Sequence, residues 1–330
     1  MRLRPFCSLL GVTVLAAGLL LVPSNTRSRA AQASAAPQGQ RPEQPIRVQV
    51  ALVNLFATVR DAHKRIIPDL TKDDFRVYED NQEQKLAFFT HETSLPITLG
   101  LLIDTSGSEM RMLPAEQEAA SRFLQRVLRK EDLAMVISFD MDVDLLSDFT
   151  SDPAKLERAI QRARINAPST PATVQGPLPQ TGPKGTNFYD AVYLACQEKL
   201  SSETGRKALV ILTDAEDNGS KVRLEEALEA AQRTDTVIHI LLVYDPMYGA
   251  NAGAAKKLAE ETGGRMIEVR SEKKLLEAFD EISEELRTQY TLGYYPTNAA
   301  RDGRFRKIKI ETTRKDTHAL ARKGYYAPKD

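Results

Sequence analysis

Between residues 96 and 289 the chain alternates short apolar runs with longer stretches of helical period, and this alternation limits the fold more than any other feature. Strands are expected at 97–103, 132–139, 143–149, 207–213, 236–243 and 265–269, and helices at 114–129, 153–164, 188–201, 222–233, 251–262 and 272–289. The first helix shows the reason: Ala115, Ala119, Phe123, Leu124, Val127 and Leu128 make an apolar stripe at helical spacing. This alternation of strand and helix implies an α/β fold, a doubly wound and mostly parallel sheet with helices on both faces. The runs 132–139 and 143–149 are too close for a crossover, so they should form an antiparallel hairpin at the edge.

Both flanks read as β. From Ile46 to Val59 apolar residues occupy both alternating faces, which fits a strand covered on two sides. Phe75–Tyr78 and Lys85–Phe89 add short strands separated by Asp80-Asn81, a turn signal. After the last helix, Tyr290–Pro296, Phe305–Thr312 and Ala319–Tyr326 are strand-like, broken at Asn298–Gly303. Neither flank is large enough to bury a core alone. Segments 46–95 and 290–330 are therefore expected to pair into one small β-sandwich-like module, with the 96–289 domain inserted between them. The rival arrangement is two separate flaps.

Arg2 and Arg4 precede an apolar run from Phe6 to Val22, followed by A-x-A cleavage sites at Ala31-Gln-Ala33 and Ala33-Ser-Ala35. This reads as a secretory signal peptide over 1–33, then a spacer over 34–45 rich in Ala, Gln and Pro. The mature protein is expected outside the cytoplasm, secreted or in the periplasm or cell envelope. The apolar run approaches spanning length, so the alternative is an uncleaved membrane anchor. Cleavage changes 45 basic and 45 acidic residues to 41 and 45, a mildly acidic chain without a nucleic-acid footprint. Cys196 is then the only cysteine, and with Val192, Tyr193 and Leu200 it fits a helix face as a core thiol.

The run Ile97–Ile103 ends in Asp104, and Asp104, Ser106 and Ser108 alternate in the loop that follows. One carboxylate and two hydroxyls at a strand's carboxyl end suit hard cations that want an all-oxygen shell. The same residues also make ordinary turns. Two distant segments add weight: Thr186 precedes a helical pattern, and Asp214 ends the apolar run 208–214. In an open α/β sheet, such loops meet beyond the carboxyl ends of the strands.

This order of residues resembles the von Willebrand factor A (VWA) domain and its metal-ion-dependent adhesion site. Thr71–Asp80, Arg206–Ser220 and Tyr290–Pro296 also look like the secreted bacterial family of VWFA-related proteins, a likeness running from about residue 46 to 328. The resemblance implies a Rossmann-like VWA sheet and a divalent ion, Mg²⁺ or else Mn²⁺ or Ca²⁺, held by Asp104, Ser106, Ser108, Thr186 and Asp214. It also implies a protein partner whose Asp or Glu completes the metal shell. Two departures stand out. Glu109 takes the place where such sequences commonly carry Met; it reads either as an extra carboxylate in the site or, more simply, as a solvated acid at a helix N-terminus. Ala215 replaces the usual Gly after Asp214, which would strain a backbone at positive φ.

Catalytic signals are weak. Asp140-Met-Asp142 resembles the nucleophile motif of haloacid dehalogenase-like phosphatases, but a polar hairpin turn between edge strands explains it more simply. His63, His91, His239 and His318 are scattered, and no zinc-protease, nucleophile-elbow or P-loop motif occurs. The Pro- and Thr-rich stretch 166–184 enters the Thr186 loop and is either a partner-specific rim or plain disorder. A non-enzymatic, metal-dependent binding module is the leading expectation, with metal-independent binding or scaffolding second and a phosphatase third.

Overall fold

A computed structural model describes residues 52–91, 95–165, 185–244 and 249–329. The expected export signal, the spacer and the 166–184 loop lie outside the described residues. Four strands come first: β1 (Val53–Asp61), β2 (Phe75–Glu79), β3 (Gln82–Gln84) and β4 (Leu86–Thr90). The α/β part then runs β5 (Ile97–Asp104), α1 (Leu113–Val127), β6 (Leu133–Phe139), β7 (Val143–Thr150), α2 (Pro153–Ile160) and α3 (Phe188–Leu194). It continues through β8 (Arg206–Thr213), α4 (Leu224–Arg233), β9 (Thr236–Val243), α5 (Ala252–Thr262), β10 (Met266–Val269) and α6 (Glu272–Arg287). The closing strands are β11 (Tyr290–Tyr294), β12 (Phe305–Thr312), β13 (Thr317–Leu320) and β14 (Gly324–Tyr326).

The central sheet has the order β10-β9-β8-β5-β6-β7. All its pairs are parallel except β6 with the edge strand β7, as the short link between them requires. Every residue of β5 is buried because helices cover both faces. Leu99, Leu101 and Ile103 pack with Phe123 and Leu124 of α1 and Phe279 and Ile282 of α6. Leu102, with Leu209 and Ile211 of β8, packs on the other side with Phe188 and Val192 of α3 and Leu258 of α5. A pleated strand alternates its side chains, so one fully buried strand feeds two cores.

The expected helix over 188–201 is less regular than its pattern suggests. It is α-helical only to Leu194, opens into a π turn at Ala195–Lys199 and closes in a tight turn at Leu200–Ser202. Ala195, Cys196 and Leu200 all stay buried through this change. Burial pushes the Cys196 thiol up to about 12, so it is an inert core group.

Two four-stranded antiparallel sheets flank this part, with orders β13-β1-β11-β4 and β14-β12-β2-β3. Each interleaves strands from before and after the α/β segment, and they share one core containing Val59, Phe75, Val77, Tyr290, Leu292 and Ile308. Tyr290 packs 5.1 Å from the Phe75 ring, while its hydroxyl donates to the Ile67 carbonyl at 2.7 Å and accepts from the Leu70 amide at 3.0 Å. The Tyr294 and Tyr325 hydroxyls, one from each sheet, both donate to Glu79 Oε2 at 2.7 and 2.9 Å. The Asp80-Asn81 turn between β2 and β3 has positive φ at both residues, the geometry that suits a tight hairpin.

Candidate metal centre

β5 is a central strand, and its last residue, Asp104, emerges at the carboxyl edge of the sheet yet remains wholly buried. Both carboxylate oxygens are held. Oδ1 accepts from the Ser106 amide at 2.9 Å, and Oδ2 accepts from the Thr213 hydroxyl at 2.6 Å. Thr213 ends the neighbouring strand β8, so parallel pairing of β5 with β8 aligns donor and acceptor. The Thr213 hydroxyl also accepts from the Ala215 amide at 2.9 Å. Ala215 has φ of 60°, so the left-handed turn usually given to glycine is made here by alanine.

Ser106 and Ser108 lie side by side with their hydroxyl oxygens 2.9 Å apart, on the short turn that carries the chain from β5 towards α1. Asp214 directly follows β8, and its Oδ1 accepts from the Glu216 amide at 3.0 Å. Ligand oxygens of Asp104, Glu109 and Asp214 all lie within 4.8 Å of one another, and all three residues are buried. Glu109 is only 1% exposed. The solvated helix-start reading of Glu109 is therefore wrong: the 3₁₀ turn Gly107–Glu109 swings its side chain inward and leaves Met110 outside.

Thr186 reaches this edge through its backbone. Its carbonyl accepts from the Asn218 and Gly219 amides at 3.2 and 3.3 Å, which ties it to the loop after Asp214. A Cβ on Gly219 would lie 2.2 Å from Asn187 Oδ1 and 3.5 Å from the Gly185 Cα, so a larger residue there would push the Asn187 side chain aside. The Asn187 amide donates to the Asp140 carbonyl at 2.7 Å. Asp140 in turn joins the rim, its Oδ2 accepting from the Thr105 hydroxyl at 3.3 Å. The Asp140 amide donates to the Asp142 carbonyl at 3.0 Å and the Asp142 amide to Asp140 Oδ1 at 3.1 Å, so the phosphatase-like motif is a hairpin turn.

A second acid escaped sequence reasoning. Glu116 on α1 is fully buried; its carboxyl and that of Glu109 meet each other, and neither accepts from an N–H or hydroxyl among the described residues. One signal was available: Glu116, Ala120, Phe123 and Val127 share a helical stripe, so an acid sat on the core face. Burial, followed by the charge of Asp214, raises the Asp104 carboxyl to about 7. Burial also raises Glu109 and Glu116, and each feels neighbouring carboxylates. Concentrated buried negative charge with unpartnered oxygens is the chemistry of a cation site, and an all-oxygen donor set suits a hard divalent ion.

The family model described as the von Willebrand factor type A domain matches residues 99–218, which includes Asp104, Ser106, Ser108, Thr186 and Asp214. The chain carries a von Willebrand factor type A domain. Solved structures similar to this chain include a von Willebrand factor type A protein from Catenulispora acidiphila, at 12% identity and TM-score 0.49, covering 77% of this chain and 73% of that one. The conserved hypothetical protein BatB from Bacteroides thetaiotaomicron is similar at 18% identity and TM-score 0.43, over 58% of this chain and 100% of that one. The vWF domain of the type V pili tip protein Mfa5 from Porphyromonas gingivalis is similar at 13% identity and TM-score 0.40, over 58% and 94%. No curated protein sequence matches this chain. The family match ends before α4, whereas the six-stranded sheet also includes β9 and β10, which follow it in the chain.

Proposed function

We propose that this chain is a non-enzymatic, divalent-cation-dependent protein-binding module of the cell envelope or exterior. Asp104, Ser106, Ser108, Thr186 and Asp214 hold the ion, Mg²⁺ or a similar hard cation, and an Asp or Glu of the partner completes its shell. The carrying observation is the gathering of buried carboxylate oxygens within 4.8 Å at the carboxyl edge of the type A sheet. Thr213 and the Ser106 amide fix the Asp104 carboxylate in one orientation, so the charge is aimed before any ion arrives. When bound, the ion supplies a Lewis-acidic position for an incoming carboxylate. An acidic side chain gains Coulombic attraction in a partly desolvated rim.

In this reading residues 96–289 carry the binding edge, 46–95 and 290–330 form the module that supports it, and 1–33 direct export ahead of the 34–45 spacer. Among the described residues no helix is long and apolar enough to cross a membrane. The test is calorimetric titration with Mg²⁺ of the wild type and Asp104→Ala, followed by capture of partners from envelope extract with Mg²⁺, with chelator and with Ser106→Ala. Metal uptake that Asp104→Ala abolishes, and partner binding lost in both perturbed arms, support the proposal. Equal Mg²⁺ affinity of wild type and Asp104→Ala rejects the site, and partner binding that survives chelation rejects the role.

A further inference from the structure

We infer that Glu109 is itself a ligand to the ion, an internal carboxylate standing where a partner's acid would otherwise bind; this rests on the metal-dependent reading above. Three observations lead there. Glu109 is buried to 1% exposure, although it sits on a surface turn whose next residue, Met110, is 57% exposed. One of its oxygens lies within 4.8 Å of ligand oxygens of both Asp104 and Asp214. Apart from the Glu116 carboxyl that it faces, neither of its oxygens meets a hydrogen-bond donor among the described residues. A buried carboxylate without donors is costly, and a cation shared with Asp104 and Asp214 removes that cost.

Glu116 stands against the Glu109 carboxyl and does not join the group of converging ligand atoms. Three carboxylates on one divalent ion give a shell that needs no partner to hold it. Affinity for hard cations rises with the number of charged ligands. A fourth carboxylate, from a partner, would meet a net negative site. The wild-type centre is therefore self-liganded, and a partner's acid gains the metal only as Glu109 leaves it.

The experiment uses Mn²⁺ as the probe, with affinity measured from free-ion spin resonance and bound water counted by water-proton relaxation. In wild type, Mn²⁺ binds in the absence of any partner. Glu109→Gln, almost the same shape, is expected to weaken binding by about tenfold or more, the scale on which even outer partners of metal ligands act. It should also admit about one additional water to the ion, because the vacated position fills from solvent. Glu116→Gln weakens binding less and leaves the water count unchanged. Circular dichroism of each variant secures the fold, and Glu109→Asp, which shortens the reach but keeps the charge, gives a second measurement. Unchanged affinity and water count in Glu109→Gln, or equal effects of Glu109→Gln and Glu116→Gln, overturn the inference. If Asp104→Ala still abolishes uptake in that case, the metal site stands without Glu109; wild type that takes up no Mn²⁺ overturns both.

Discussion

Arg60 on β1 donates a guanidinium hydrogen bond to Glu285 on α6, joining positions 225 residues apart in a buried contact between the flanking sheet and the α/β segment. Arg265 forms an ion pair with the same carboxylate oxygen, and His239 of β9 lies 3.6 Å from the second oxygen. The side chains of Arg60 and Glu285 are 10% and 2% exposed, so solvent screens this pair little. Arg60→Met should destabilise the protein by about 3 kcal/mol, the low end for breaking a buried pair, since Arg265 still faces the charge. Urea denaturation of Arg60→Met, Glu285→Gln and the double variant measures the coupling. Strictly additive losses would show that the pair is incidental.

His239 makes stability depend on pH in one direction. Burial, and then the charges of Arg265 and Arg60, hold its imidazole down to about 3, against an ordinary 6.5. Between those values the unfolded chain binds the extra proton, so the stabilising contribution is complete above 6.5 and is lost as pH falls towards 3. At pH 5 the loss is about 2 kcal/mol. Glu285 and the buried acids of the metal centre shift upward and act in the opposite sense, so the total curve mixes signs. The quantity to measure is the stability difference between wild type and His239→Gln at pH 7 and at pH 5. It should shrink by about that amount, and an unchanged difference would refute the assignment.

Mg²⁺ should protect the fold against heat. Binding to the native state alone adds about 2.7 kcal/mol at a hundredfold excess over Kd, or several degrees of melting temperature in a domain of this size. Asp104→Asn should abolish the shift. In chelator and above about pH 8 the order reverses: Glu116→Gln should melt above wild type, because it removes a buried carboxylate that is forced to ionise there. Differential scanning calorimetry with and without chelator reads both effects, and a wild type insensitive to Mg²⁺ would count against the metal centre.

Removal of residues 290–330 takes out β11 and β12, each an interior strand of its flanking sheet. β1 then loses its partner over Val53–Ala57, and β2 loses its partner over Phe75–Glu79. Amides of β1 and β2 should exchange at nearly unfolded rates, and the exposed apolar strands should promote aggregation. Hydrogen exchange with mass readout tests this; protection of β1 equal to that in the full chain would refute it.

The central sheet was legible because its signal is local: each strand is an apolar run and each helix an apolar stripe. The edge hairpin followed from chain length alone. Asp104, Ser106, Ser108, Thr186 and Asp214 were legible as candidates because each sits where a strand pattern stops or a helix pattern starts. Glu109 was misread because its burial depends on the tertiary cover above a three-residue turn, and a carboxylate at that position is solvated in most settings. Thr213 was passed over as a strand residue; only parallel pairing with β5 brings its hydroxyl to Asp104. The contacts of Arg60 with Glu285 and of Tyr294 with Glu79 join positions more than 200 residues apart, and no local pattern announces them.

Thr90, the last residue of β4, faces Thr291 near the start of β11 across an antiparallel pair. The chain leaves the sandwich for the α/β segment just after one of these residues and returns just before the other. Topologically, the whole metal-bearing segment occupies the place of a hairpin loop. Cutting it out and closing Thr90 to Thr291 with a short turn would leave every flanking strand beside its present neighbours, and another domain with adjacent ends could be grafted at the same seam.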